Sequence, residues 1–285
     1  NARIRGDRRP QVHPINASMI VVKIGGSIVD GLHLTALEDI KHIIKRDRLV
    51  LVHGGGKEVT DIATKLGKEQ KFIISPSGVK SRYTDKETAE IYTMVMSGKI
   101  NKTIVGMLLR HGVKAVGISG LDGLVLKAQR KKKLLIVNEK GRKMAVDGGY
   151  TGKIHSVDPS LMNILLDQGY TPVISPIAIS DEFDFLNVDG DRAAAYIAGG
   201  LKAQMVVFIT NVPGLILEGK LITNITLEQA NTSLSKIGYG MEKKIIAARE
   251  AIELGVNESV IASGKVEYPI SAAMAHTNCT VITAS

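Results

Sequence analysis

The segments MIVVKIGGS (residues 19–27) and LVLVHGGGK (residues 49–57) repeat one design, a short β-branched apolar run that ends on glycines. Such runs, bounded by glycine, read as buried strands. Between them, LTALEDIKHIIKRD (34–47) carries apolar residues at helical spacing. The order is strand, glycine turn, helix, and it recurs along the chain. DPSLMNILLDQG (158–169), DRAAAYIAGGL (191–201) and GMEKKIIAAREAIELG (240–255) read as helices; YTPVISP (170–176) and QMVVFIT (204–210) read as strands. SVIAS, PISAAMAH and CTVIT close the chain as strand, helix and strand. This alternation predicts an α/β fold, a three-layer αβα sandwich with a mainly parallel central sheet.

The middle of the chain reads differently. Thr84 to His111 predicts a long helical region, with Thr84 or Asp85 as N-cap and Gly98 as a bend or break. KAVGIS (114–119) reads as a strand, and two or three hairpin-like strands follow between Leu124 and Val146. The hairpins and a shift of charge near residue 153 divide the chain into lobes at 19–153 and 154–285. Residues 1–18, with two prolines and no apolar period, read as a flexible leader, its origin left open and Met19 a natural start.

The 285 residues are 44% hydrophobic, enough for a sizeable core. No apolar run reaches the length of a membrane span and the N-terminus has no signal-peptide pattern, so the cytosol is the expected location. Cys279 is the single cysteine, which excludes an intramolecular disulfide and a multi-thiolate metal site. The net charge of +9 is unevenly spread: residues 57–153 hold 20 Lys and Arg against 9 Asp and Glu, whereas residues 154–285 hold 8 against 14. Such asymmetry points to an acidic partner for the N-terminal half.

In open α/β sheets, ligands sit beyond the C-terminal ends of strands. Gly25-Gly26-Ser27, Gly54-Gly55-Gly56 and Gly214 of TNVPGL all fall there. Glycine lets backbone N–H groups approach an anion, although a tight turn alone would also call for it. Neither the GxxxxGKS/T pattern nor a strand-to-helix GxGxxG is present, so the P-loop and dinucleotide readings lose their support. Lys23, within an apolar strand, would be costly unless its ammonium emerges at an anionic site or snorkels at the strand end. Lys243-Lys244 oppose the dipole of the helix they open, which calls for a compensating anion or for solvent. Asn187, Asp189 and Asp191 alternate just before a helix; either aspartate suits an N-cap, and an aspartate there could also hold two lysines.

KIGGS, HGGGK, RYTD, GKINK, SGLDG, LNVDGD, TNVPGL and GMEKK, in this order over Met19 to Ser285, resemble the amino-acid kinase family and its N-acetylglutamate kinase branch. The resemblance implies that family's carbamate kinase-like fold and transfer of the γ-phosphoryl group of ATP to a carboxylate, with Mg²⁺ bound through the nucleotide. It implies Lys23, Lys244 and Asp191 as catalytic residues, the lysines stabilising the transferring group and Asp191 orienting both. Gly25, Gly26 and Ser27 would bind phosphate; Gly54, Gly55, Arg82 and Asn187 would bind the amino-acid substrate. The nucleotide would lie near Thr210, Asn211, Gly214 and Lys244.

Within that branch, SGLDG and SRYTD look more like a group that phosphorylates 2-aminoadipate or glutamate attached by its amino group to an acidic carrier protein, in lysine or arginine synthesis. The alternative is an N-acetylglutamate kinase acting on the free compound. The charge of the N-terminal half favours the carrier, because an acidic protein is steered by such a field. Docking candidates are Lys57, Lys65, Lys68, Lys71 and Lys80, together with the run Arg130, Lys131, Lys132 and Lys133, which is expected to face solvent at a hairpin. One extra methylene changes pocket binding by only about 1–3 kcal/mol, so one enzyme could serve both acceptors. A nucleic-acid-binding protein is a remote alternative, with 4% aromatic residues and no Trp against it, and a uridylate kinase-like reading fits the motifs less well. A homodimer is expected.

Overall fold

The computed structural model describes residues 17–26, 35–76, 78, 80–138, 140–233, 237 and 240–285. Ser27 and residues 1–16 of the expected leader lie outside the described residues.

Eight strands form the main sheet: β1 (Met19–Ile24), β2 (Arg48–His53), β3 (Ala115–Ser119), β4 (Thr171–Ser175), β5 (Met205–Thr210), β6 (Asn224–Thr226), β7 (Glu258–Ser263) and β8 (Thr280–Thr283). Their order is β6-β8-β7-β5-β1-β2-β4-β3. Only the β7–β8 pairing is antiparallel. Strand β4 inserts between β2 and β3, so the sheet runs unbroken from early to late segments of the chain.

β1 sits mid-sheet between β2 and β5, with Lys23 level with Val52 and Phe208. Side chains alternate between faces along a strand. Ile20, Val22 and Ile24 therefore enter one core with Leu49, Leu51 and Val207. Val21 enters the other with Val50, Val206 and the helices Gly190–Gly200 and Met241–Glu253. Lys23, two residues on, shares that second face. The first of these helices packs Ala193, Ala194, Ala195 and Ala198 into the core, and such small side chains bring its N-terminus close to the sheet. With helices against both faces, the three-layer sandwich read from the alternation is the fold.

The region Lys86–Arg110 is helical throughout, starting from Asp85, whose carboxylate accepts the Thr88 N–H at 2.8 Å. Gly98 does not break it. Residues Met94–Ile100 widen instead into a π-helical stretch, a form that recurs at functional sites. That stretch places Met96 and Ile100 against the second glycine turn: a Cβ on Gly55 would lie 2.2 Å from Ile100 Cδ1 and 2.8 Å from Met96 Sδ.

A second sheet pairs Phe185–Asn187, Ile177–Ile179, Leu126–Arg130 and Gly152–Val157 in that order. Two hairpins, Phe72–Ile74 with Lys80–Arg82 and Lys133–Val137 with Lys143–Asp147, complete the roof. The cation run departs from its expected setting, because Arg130 ends a strand of the second sheet and Lys133 begins a separate hairpin. Lys131 and Lys132 connect two structures and do not cap one. No described helix is long and apolar enough to cross a membrane.

Gly55→Ala forces a methyl into Ile100 and Met96, and overpacking of this kind costs about 1–3 kcal/mol. Gly106, inside a helix, has open space where its Cβ would stand; Gly106→Ala should stabilise by about 0.4–1 kcal/mol. Denaturant unfolding of the two variants should move in opposite directions.

Candidate active site

The first two glycine turns form one backbone platform. Gly54 N–H donates to Ile24 O at 2.8 Å, and a Cβ on Gly26 would lie 2.3 Å from Gly55 N. Only glycine allows the two turns to touch, and their contact presents two stretches of main chain side by side at the ends of β1 and β2. Gly25 opens the first turn, directly after Ile24.

Beside this platform, Lys23 and Lys244 converge on one carboxylate. Lys23 Nζ lies 2.6 Å from Asp191 Oδ1, and Lys244 Nζ donates to Asp191 Oδ2 at 2.8 Å. All three are almost fully enclosed, with side-chain exposures of 9%, 13% and 7% for Lys23, Lys244 and Asp191. Burial opposes the charge on Asp191, but the two ammoniums outweigh it and hold its carboxyl well below the usual carboxylate range. For Lys244, burial and the neighbouring Lys23 charge lower the pKa, with Asp191 partly compensating. Two positive charges thus face one negative one, leaving the centre cationic. Asp189 supplies the N-cap of the helix, accepting from the Asp191 and Arg192 N–H groups, which fixes Asp191 in the first turn.

Each lysine of this cluster stands in the wall of a different cavity, Lys23 in the larger and Lys244 in the smaller. The larger, about 690 Å³, is lined by Lys23, Gly54, Gly55, Arg82 and Asn187 among others. Arg82 is buried, donates Nη2 to Gly56 O (2.7 Å) and Thr60 Oγ1 (2.8 Å), bonds Gln70, and lies over the Phe72 ring. All three hydrogen-bond partners are uncharged, so its guanidinium charge is uncompensated by them. Asn187 is oriented by donation to Thr84 Oγ1 at 2.9 Å. The smaller cavity, about 360 Å³, is lined by Thr210, Asn211, Gly214, Gly240 and Lys244. Gly214 has a packing reason as well: its Cβ would meet Thr280 Oγ1 at 2.3 Å.

Several of the proposed docking cations are exposed, namely Lys57, Lys65, Lys71, Lys132 and Lys133; Lys80 is exposed as well but lies over the Phe72 ring at the rim of the larger cavity. Three others are engaged or turned inward. Lys68 pairs with Asp85 (2.9 Å) and Glu87 (2.6 Å). Arg130 donates to Gly149 O (2.7 Å), reaches Asp184 (3.4 Å) and lies over the Tyr150 ring. Lys131 lines the larger cavity, so the expectation that the whole run faces solvent is corrected for Arg130 and Lys131; both are half-buried, Arg130 because Gly149, Asp184 and Tyr150 hold it against the second sheet.

Sequence reasoning passed over His53 and Asn101, although both lie in motifs already quoted. Asn101 Nδ2 donates to Val173 O (2.9 Å) and meets His53 Nε2 at 3.2 Å. His53 Nδ1 lies 3.0 Å from Gly54 O, which assigns the proton to Nδ1. In a trans peptide the C=O and the next N–H point oppositely, so pinning Gly54 O also sets the direction of Gly55 N–H. Burial, against the Gly54 bond and helped by Lys23 and Lys102, lowers the His53 pKa to about 4. Lys243 bonds Lys80 O at 3.1 Å and lies 3.8 Å from Asp189, linking the helix Met241–Glu253 to the roof hairpin.

Residues 18–263 match the sequence profile of the amino acid kinase family. The chain belongs to that family. A Nitrosopumilus maritimus protein provisionally named a LysW-aminoadipate/LysW-glutamate kinase is 62% identical over 264 residues, 93% of this chain and 99% of that protein. A LysW-aminoadipate/LysW-glutamate kinase of Saccharolobus islandicus is 43% identical over 265 residues, again 93% and 99%. Among solved structures, N-acetylglutamate synthase from Neisseria gonorrhoeae superimposes with a TM-score of 0.75 at 22% identity, over 93% of this chain and 59% of that one; that likeness bears on the fold.

Two outcomes follow from the buried charges. Asp191→Ala leaves two enclosed ammoniums unpaired and should cost about 3–5 kcal/mol of unfolding free energy, measured in denaturant. For His53 the folded-state pKa is depressed from 6.5 to about 4, so its contribution is complete above pH 6.5 and is lost as pH falls to 4. That loss is about 3 kcal/mol, and a His53→Gln variant should lack this part of the pH dependence.

Proposed function

We propose that the chain transfers the γ-phosphoryl group of ATP to the side-chain carboxylate of 2-aminoadipate, and of glutamate, held through its amino group on an acidic carrier protein, forming an acyl phosphate. The observation that carries this reading is the Lys23–Asp191–Lys244 cluster, with one cavity opening on Lys23 and another on Lys244. The kinship to carrier-linked kinases at 62% and 43% identity supports the carrier-bound acceptor over free N-acetylglutamate.

The acceptor carboxylate is already ionised at neutral pH, so no strong base is required. The barrier lies in bringing two anions together and spreading charge over the transferring group. Arg82 and Asn187 hold the acceptor's amino-acid portion in the larger cavity, and Gly54 and Gly55 direct main-chain amides at its reacting end. Thr210, Asn211 and Gly214 receive the nucleotide in the smaller one. Lys23 meets the developing charge from the acceptor side and Lys244 from the nucleotide side, with Gly25, Gly26 and Ser27 adding main-chain donors. Asp191 keeps both ammoniums in place and does not itself accept a proton.

Mg²⁺ held by the nucleotide's phosphates would supply further charge neutralisation there. Asp191 is taken up by two lysines, which leaves such an ion to the nucleotide's phosphates. In this reading residues 19–153 form the acceptor and carrier lobe and 154–285 the nucleotide lobe. The chain acts as a cytoplasmic homodimer in lysine and arginine synthesis. Carrier docking falls to the exposed cations, Lys132 and Lys133 foremost.

Trapping the acyl phosphate as a hydroxamate tests the acceptor: carrier-linked aminoadipate and glutamate should be turned over efficiently, whereas turnover of free N-acetylglutamate alone overturns the reading. Lys23→Ala and Lys244→Ala should each lower kcat by about a hundredfold or more, as loss of a preorganised donor does. Near-native turnover by a folded Lys23→Ala variant defeats the catalytic assignment.

A further inference from the structure

Lys131 is in the wrong place for a docking cation. It stands in the wall of the larger cavity with Thr151, Asn187 and Arg192, and its backbone N–H donates to Thr151 O at 2.9 Å. The pairing of Arg130 with Gly152 in the second sheet runs on into this bond, so Lys131 and Thr151 are opposed cross-strand neighbours on one face. The backbone here has no slack: a Cβ on Gly148 would lie 1.5 Å from Lys131 O.

Both side chains lack partners. Among the described residues no hydrogen bond or ion pair engages the Lys131 ammonium, and the Thr151 hydroxyl oxygen is buried with no hydrogen-bond partner. The charges that reach Lys131 are two cations, Arg192 and Lys153, and one carboxylate, Asp189. Burial first, then the two cations, lower its pKa from the ordinary lysine value. Asp189 compensates only in part, since it caps its own helix and faces Lys243; Arg192 is held by Glu250. A half-buried ammonium with no anion of its own and a buried, unsatisfied hydroxyl across the strand pair are unfavourable for folding unless a ligand oxygen reaches them.

We propose that Lys131 and Thr151 form an anion subsite of the acceptor cavity, separate from Arg82, that binds a carboxylate of the acceptor other than the one phosphorylated. The subsite rests on the reading of this cavity as the acceptor's. Arg82 is anchored at a different point of the wall, among Gly56, Thr60 and Gln70. Lys131 is therefore a specificity residue for a polyanionic acceptor, whereas Lys132, its exposed neighbour, acts only through the outer field. The carboxylate belongs either to the amino acid itself or to the carrier segment that enters with it.

Lys131→Met keeps the length of the side chain and removes the charge. With the carrier-linked acceptor its KM should rise about ten- to hundredfold, the range for losing a hydrogen bond to a charged group, with KM for ATP unchanged. The rise should persist at about 0.5 M salt, because a pair covered by the bound acceptor is little screened, while any effect of Lys132→Met should vanish there. Thr151→Val should raise the same KM, and neither variant should lower Tm. An acceptor whose α-carboxylate is an amide identifies the source: an abolished Lys131→Met effect assigns the α-carboxylate, a retained one assigns a carboxylate of the carrier, and both support the subsite. An unchanged KM, or a rise lost at high salt, overturns it. If native enzyme turns over only free N-acetylglutamate, the carrier reading falls, and the same variants assayed with that compound still decide the subsite.

Discussion

One carboxylate between two ammoniums organises this protein. Asp191 is enclosed, and an isolated buried carboxylate would be costly enough to take up a proton. Lys23 from the central strand and Lys244 from a helix more than two hundred residues later remove that cost together, and neither lysine could be buried alone. The ion triad therefore ties β1 to two helices on one face of the sheet. It also leaves a net positive centre whose two lysines each stand in the wall of a cavity. The interaction that allows these charges to be buried is also the one that shapes the candidate site.

Everything around the triad concerns access by main chain and exclusion of side chains. Gly26 and Gly55 let two strand ends touch, and the π-helical stretch Met94–Ile100 seals the turn from behind. Asn101 and His53 fix the Gly54 peptide from inside. The site is thereby built on rigid strand ends, while the roof of hairpins over the larger cavity is tied down by fewer contacts, among them Lys243 to Lys80. In the proposed function, a floor of strand ends and a roof of separate hairpins suit an acceptor that arrives attached to something larger.

The positive charge divides by burial. Lys23, Arg82, Lys131 and Lys244 face cavities, where the surroundings amplify each charge. Lys57, Lys65, Lys71, Lys132 and Lys133 face solvent, where salt screens them. Counting the cations together describes a field; separating them distinguishes recognition at close contact from steering at a distance.

Much of this was legible in the chain. The apolar runs ending in glycine determined the parallel sheet, and a lysine in one of them marked the site, because a strand interior tolerates an ammonium only beside an anion. The order of the motifs carried the family. What sequence left undecided depended on neighbours distant along the chain. Gly98 read as a helix break, yet the helix widens there because Met96 and Ile100 must reach Gly55. The run Arg130–Lys133 read as one solvated tip, yet pairing of Lys131 with Thr151 turns its side chain to a cavity and leaves Lys132 outside. Local composition sets which elements form; which face of an element meets solvent is decided only when strands pair and the sheets close over one another.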